Sequence, residues 1–118
     1  DNVLIEEGVC VMAGATINAH SIIGEGSIIN TNSSIDHDCI WSDFSSCGPV
    51  VITGGRVKIG NVSFIGMGSV ILQGVNVSNN TVVGAKSLVN KNCNSNSMYY
   101  GTSAKFIKNI SNDFNYLA

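Results

Sequence analysis

The chain carries a histidine between two carboxylates, in the segment Asp36-His37-Asp38-Cys39. A neutral imidazole with one nitrogen hydrogen-bonded to a carboxylate suits general-base catalysis, because the anion fixes the tautomer and stabilises the imidazolium that forms. The segment directly precedes the least regular part of a repeat, and functional residues are often found where a repeat departs from its rule. His37 and Asp38 are therefore the first candidates for catalysis.

Six-residue repeats must position these side chains. From Ile5 to Val89, every sixth residue belongs to one series, in which twelve of fifteen members are Ile or Val. A second series, four residues further on, runs from Val9 to Cys93 and contains only small or β-branched residues. One hexad cannot cover its own apolar face, so the repeats must stack on one another. The pattern predicts a parallel β-helix.

Three members of the first series are not aliphatic, and they are consecutive: Trp41, Cys47 and Thr53. Their position after His37 favours a functional reason for the irregularity. A purely structural alternative is that Trp41 and Phe44 enlarge one coil and pack against a neighbouring subunit. The residues alone leave both interpretations open.

The hexad pattern resembles the left-handed β-helix of the hexapeptide-repeat acyltransferases, in which three hexads form one triangular coil. The resemblance implies five coils, at 5–22, 23–40, 41–58, 59–76 and 77–94. Glycine and asparagine suit its corners, since both tolerate positive φ. The corner candidates are Gly24, Gly26, Asn30, Asn32, Gly60, Gly66, Gly68 and Gly84.

The last part of the chain departs from the hexad pattern. Residues 92–97 are polar and predict a linker. Beyond them, apolar residues recur at roughly helical spacing and predict a short helix that covers the end of the solenoid. These residues are Phe106, Ile107, Ile110, Phe114 and Leu117. The expected fold is all-β, a left-handed parallel β-helix of about five triangular coils with a short C-terminal helical tail.

A coil of eighteen residues places His37 between Ala19 and Gly55, about 4.8 Å from each along the axis. Gly55 has no side chain, so its backbone N–H can approach a developing oxyanion. In the next column Asp38 lies between His20 and Arg56. An alternative role for Asp38 is a surface ion pair with Arg56, which would contribute little to stability.

Four segments of the chain make the resemblance more specific, because they are similar to motifs of one group of acetyltransferases. Residues 34–40, with 43–45 and 57–60, are similar to the run E-H-D/E-C-x-x-G-D/E-F-x-H…V-x-I-G of acetyltransferases that modify sialic acids and UDP-linked amino sugars in bacterial surface-glycan pathways. Residues 100–105 are similar to a G-x-P-A-K segment after the last coil. Two departures are Ser46, where the family usually has histidine, and Ser103, where it usually has proline.

The resemblance implies a role for each matching position. His37 would take the proton from an acceptor amine or hydroxyl, Asp38 would raise its basicity, and the backbone at Gly55 would bind the acetyl oxygen. Acetyl-CoA would lie in a groove between two protomers of a homotrimer, at Met67 and Ala85. Ser46 would belong to the cofactor site, where the contact of the family histidine to the thioester or the acceptor would be lost or changed.

Charge is divided unevenly along the chain. Residues 1–55 carry seven acids and no Lys or Arg, whereas residues 56–118 carry six bases and one acid. Coenzyme A is polyanionic, so it would favour the second half, and Lys86 and Lys105 are the candidates for its phosphates. Neither a membrane span, a signal peptide nor a nucleic-acid-binding pattern is present. We expect a cytoplasmic protein with reduced thiols.

Two other functional classes are weighed against this one. A β-helix carbonic anhydrase would need three histidines on zinc, and this chain has only His20 and His37, so no metal is expected. A non-catalytic or degenerate scaffold subunit stays open, and Ser46 is the residue that favours it.

The domain organisation follows from where the hexads stop. We expect a β-helix over residues 1–94 and a linker with a capping segment over 95–118. The resembling enzymes carry a small sugar-binding domain before the first hexads, which is expected to be absent from this chain. Either the chain is one part of a longer enzyme, or its β-helix groove alone holds the acceptor.

Overall fold

The computed structural model describes residues 2–114, which form a parallel β-helix of very short strands. The strands are β1 (Leu4–Ile5), β2 (Cys10–Val11), β3 (Thr16–Ile17), β4 (Ile22–Ile23), β5 (Ile28–Ile29), β6 (Ser34–Ile35), β7 (Ile40–Trp41), β8 (Ser46–Cys47), β9 (Ile52–Thr53), β10 (Lys58–Ile59), β11 (Phe64–Ile65), β12 (Val70–Ile71), β13 (Asn76–Val77), β14 (Thr81–Val83), β15 (Leu88–Val89), β16 (Ser97–Gly101) and β17 (Ala104–Asn109).

The strands form three sheets, which are the three sides of the solenoid. Face A has the order β1-β4-β7-β10-β13, face B the order β2-β5-β8-β11-β14-β16-β17, and face C the order β3-β6-β9-β12-β15. Successive strands of one face pair in parallel, eighteen residues apart, as Ile5 does with Ile23. The expected five-coil β-helix is confirmed. Three corners join the faces: A/B (residues 42–44 in the third coil), B/C (48–50) and C/A (54–56).

Both inward series pack as predicted. From Ile23 onward, members of the first series are buried and stack along the axis. The serines of the second series tie adjacent coils together. The Ser21 hydroxyl donates to the Asp36 carbonyl at 3.0 Å and accepts from the Cys39 N–H at 3.1 Å. Small polar side chains are tolerated in this core because such bonds satisfy them.

Trp41 does not pack against a neighbouring subunit, as the structural alternative would require. Its side chain is completely buried in the solenoid core, because the first series points inward in every coil. Cys47 and Thr53, the other first-series residues of that coil, are small and offset its volume. The irregular inner residues therefore have a packing explanation. The Trp41 indole N–H is buried without a hydrogen-bond partner among residues 2–114.

The corners repeat one backbone conformation. Every sixth residue from Asn2 to Lys86 has φ between about 50° and 76°. Of the predicted corner residues, Gly26, Asn32 and Gly68 occupy this left-handed position. Gly66 has a different role, because a Cβ there would lie 2.6 Å from the Ala85 nitrogen in the next coil.

The predicted C-terminal helix is wrong for the residues that the structure describes. Residues 104–109 form β17, which pairs antiparallel with β16, and β16 extends face B beside β14. The open edge of β14 offers backbone hydrogen bonds that a helix could not make. The Tyr99 and Phe106 rings pack edge to face at 5.9 Å. Leu117 lies outside the described residues.

The cysteines behave as the two inward series predict. Cys39, Cys47 and Cys93 are buried free thiols, and Cys10 is an exposed one. Burial raises the pKa of Cys47 and raises that of Cys93 to about 11. Residues 2–114 contain no helix, and hence none that could cross a membrane.

Val62 gives a test of the corner conformation. It is 54% exposed and has φ of 63°, a conformation that asparagine tolerates and a β-branched residue does not. We expect Val62→Asn to raise the free energy of unfolding by about 1 kcal/mol in urea titrations. Val62→Ala is the control, because it removes the same exposed side chain but keeps an unfavourable φ. An equal gain in both variants would contradict the backbone explanation.

Candidate functional site

His37 lies at a C/A corner, between β6 and β7. Its Nδ1 is 2.8 Å from the Asp38 carboxylate, and the two side chains are 45% and 50% exposed. An ionised carboxylate can only accept, so Nδ1 carries the proton of this hydrogen bond. The neutral ring then has its lone pair on Nε2, as a general base requires.

Gly55 faces that nitrogen from the next coil. A Cβ on Gly55 would lie 2.5 Å from His37 Nε2 and 2.6 Å from Cε1, so only glycine leaves room for the ring. Gly55 is buried, and its N–H makes no hydrogen bond to any of residues 2–114. The backbone of Gly55, whose N–H is unpaired, therefore packs against the base nitrogen, as the stacking of coils predicted.

Asp36 holds the backbone of His37. Its carboxylate accepts from the His37 N–H at 2.8 Å and from the Asn18 side-chain amide at 3.2 Å. These two bonds, in that order, and the nearby charge of His37 hold the pKa of Asp36 below its usual value of 3.8. Asp36 thus holds the backbone of His37, and Asp38 fixes the tautomer of its ring.

Asp38 does not form the alternative ion pair with Arg56. Asp38 bonds to His37, and among residues 2–114 no ion pair joins it to Arg56. Arg56 stacks one coil higher, where its backbone N–H donates to the His37 carbonyl at 2.9 Å.

The predicted cofactor residues lie elsewhere on the same protomer. Met67, Ala85 and Lys86 occupy successive B/C corners, and Ser46 begins β8, which leads into such a corner. Lys105 lies in β17 at the end of face B, paired with Tyr100. Met67, Ala85, Lys86 and Lys105 are exposed. One protomer therefore brings these residues to one edge but does not bring them to His37.

The B/C edge also presents unpaired backbone donors. The N–H groups of Met67 and Ala85 have no hydrogen-bond partner among residues 2–114. Gly48 and Gly66 lie directly below them, and a Cβ on either would come within 3 Å of the nitrogen above. Such N–H groups suit the amide carbonyls of an extended chain such as pantetheine.

Sequence reasoning missed the contacts of Asp36 and Asn18. Their eighteen-residue separation was a signal that could have placed one above the other.

A groove of about 500 Å³ lies at the A/B corner, away from His37, and its acidic rim plays no part in this site. The rim consists of Glu6, Glu7, Glu25 and Asp43.

Gly55→Ala tests this geometry without an activity measurement. The new methyl group must displace the imidazole, so we expect the Nδ1–H to Asp38 hydrogen bond to be lost, and the fold to lose about 1–3 kcal/mol. The readout is the nitrogen-15 chemical shift of His37 Nδ1 in NMR spectra. Gly74→Ala is the control: a Cβ there meets nothing within 4 Å, although φ of 76° imposes backbone strain. An unchanged His37 signal in Gly55→Ala would contradict the geometry.

The known proteins to which this chain is similar are acetyltransferases. No protein-family model matches the chain. Over 75 residues, 64% of this chain and 34% of the relative, it is 33% identical to a GDP-perosamine N-acetyltransferase from Escherichia coli O157:H7. Its structure matches PerB from Caulobacter crescentus, solved with CoA and GDP-perosamine, with a TM-score of 0.81 and 31% identity over 91% of this chain and 55% of that one.

A third relative shares the fold alone. The acetyltransferase domain of PglB from Neisseria gonorrhoeae FA1090, solved with acetyl coenzyme A, has a TM-score of 0.70 and 23% identity, over 90% of this chain and 55% of that one. The chain thus spans about a third of the curated relative and about half of the solved ones. The resemblance noted in the sequence is confirmed: in sequence and in fold, the chain is similar to acetyltransferases built on a β-helix.

Proposed function

We propose that this chain carries the transfer site of an acetyl-CoA-dependent acetyltransferase that acts on an amine or hydroxyl of a nucleotide-linked sugar. The observation that carries the proposal is the His37 ring, hydrogen-bonded to Asp38 through Nδ1 and packed against Gly55 on its Nε2 side. The relatives solved with CoA and GDP-perosamine support the donor and the class of acceptor.

The geometry suits direct transfer. As the acceptor nitrogen or oxygen attacks the thioester carbonyl, Nε2 of His37 takes its proton, and Asp38 stabilises the imidazolium. The Gly55 N–H donates to the carbonyl oxygen as it becomes negative. When the C–S bond breaks, the imidazolium returns the proton to the departing thiolate, so the ring ends neutral.

The B/C edge is the proposed cofactor site. The unpaired N–H groups of Met67 and Ala85 would donate to the pantetheine amides, and Ser46 lies beside them on face B. Lys86 and Lys105 continue the edge toward the C-terminal end of the solenoid, where their charges would attract the phosphates of CoA.

Two protomers are needed to complete such a site. Adjacent corners of one coil are six residues apart, or about 20 Å in extended chain. A homotrimer would place the His37 corner of one protomer beside the B/C edge of the next. Apolar ladders flank the His37 corner on both sides and supply the surface to be buried. They are Leu4, Ile22 and Ile40 on face A, and Ile52, Val70 and Leu88 on face C.

A non-catalytic scaffold is the alternative, and Ser46 is the observation that favours it. The intact arrangement of His37, Asp38 and Gly55 favours catalysis, because a scaffold has no use for it. A sialic acid acceptor, cytoplasmic location and independence from metal stay predictions. Among residues 2–114, no cluster of three or more His, Cys, Asp or Glu side chains is placed to hold a metal.

Replacing the base tests the chemistry. His37→Ala should lower kcat by roughly 10²–10⁴, the usual effect of losing a positioned base, with little change in the KM for acetyl-CoA. Asp38→Asn should cost less, since the ring stays in place. The assay follows free CoA thiol with nucleotide-linked amino sugars as acceptors. His20→Ala is the matched control and should retain the wild-type rate; full activity in His37→Ala would exclude the mechanism.

Assembly is tested at face C. Val70 pairs in register with Ile52 and Leu88, so Val70→Glu puts a charge in the middle of the apolar ladder. We expect wild-type trimers and mostly monomeric Val70→Glu in sedimentation equilibrium, with circular dichroism unchanged. Thr16→Glu, on the same face in the first coil, is the control. A wild-type monomer at micromolar concentration would contradict the shared site.

A further inference from the structure

A pair of cations, Arg56 and Lys58, lies one coil above His37, directly after the acidic half of the chain. Residues 1–55 contain no Lys or Arg, Arg56 and Lys58 follow, and the next base is Lys86. Arg56 ends the C/A corner directly above Asp38. Lys58 begins β10 on face A, in register with Ile40 below and Asn76 above. Both side chains are exposed.

Neither cation is used within the protomer. Among residues 2–114, no carboxylate forms an ion pair with Arg56 or Lys58, and neither side chain makes a hydrogen bond. Asp38 would be the natural partner of Arg56, but its carboxylate is taken by His37 Nδ1 at 2.8 Å. The guanidinium is therefore left free one coil above the base.

We propose that Arg56 and Lys58 bind the phosphates of the acceptor, a sugar linked to a nucleoside diphosphate. This inference rests on the proposed acetyl transfer and assigns the substrate contact of that site. Two cations two residues apart along an extended segment are separated by about 6–7 Å, which suits a diphosphate. A guanidinium binds phosphate through two parallel hydrogen bonds.

The position of the pair favours the acceptor over CoA as its ligand. The proposed site of the CoA phosphates, at Lys86 and Lys105, lies in the fifth coil and beyond it, whereas Arg56 and Lys58 lie about one coil above His37. A diphosphate held one coil above His37 leaves its sugar beside Nε2. The pair then acts as a specificity device that favours nucleotide-linked sugars over free sugars.

Steady-state kinetics test the assignment. Arg56→Gln and Lys58→Gln should each raise the KM for a GDP-linked amino sugar roughly tenfold, with kcat and the KM for acetyl-CoA nearly unchanged. The KM for the free amino sugar, which carries no phosphate, should be the same in both variants as in the wild type. Lys91→Gln is the matched control, because it removes the same charge from a C/A corner two coils higher. A rise in the KM for acetyl-CoA, or an unchanged acceptor KM in both variants, would overturn the proposal.

Calorimetric titration with GDP and with inorganic pyrophosphate separates this proposal from the transfer chemistry. We expect the wild-type chain to bind both weakly and in a salt-dependent way, and Arg56→Gln to weaken binding roughly tenfold. Binding that depends on Arg56 in a protein without transferase activity would support the anion site while the proposed function fails. No binding by the wild-type chain, or equal binding by wild type and both variants, would overturn the anion site itself.

Discussion

The in-register stacking of eighteen-residue coils is the constraint on which the rest of the structure depends. Because each coil bonds to the next through its backbone, every sixth residue must turn the chain in the left-handed conformation, whatever its side chain. The same register fixes the volume of each layer, so a tryptophan at position 41 requires small residues at 47 and 53. It also places Gly55 against His37, so the site is a direct product of the repeat.

Much of this was predictable, because a hexad leaves few choices for where a side chain points. The inward series, the buried cysteines and the stacking of Gly55 on His37 all follow from counting in steps of six and eighteen. Counting could not tell whether Asp38 turns to His37 or to Arg56, since both lie within reach and only side-chain geometry decides. The helix predicted for the tail is wrong, because apolar residues at roughly helical spacing do not determine the secondary structure. The open edge of β14 instead favours a strand.

A single protomer holds the two groups of candidate site residues at different corners. His37, Asp38 and Gly55 lie at the C/A corner, whereas Met67 and Ala85 present unpaired N–H groups at the B/C edge. The repeat itself keeps them apart, because a side chain cannot leave its column. Apolar ladders on the two faces beside His37 fit an assembly of more than one protomer. In the proposed homotrimer the two groups would meet, and Arg56 and Lys58 near His37 would select the acceptor.

The tautomer of His37 tests the central claim most directly. The claim is that Asp38 holds the proton on Nδ1, so that Nε2 is free to accept one from the acceptor. Nitrogen-15 NMR of the imidazole at mildly alkaline pH distinguishes a protonated ring nitrogen from one with a lone pair. The account predicts a protonated Nδ1 and an unprotonated Nε2 in the wild type, and a mixture of tautomers in Asp38→Ala. A wild-type ring protonated on Nε2 would contradict it, because that nitrogen could not act as the base.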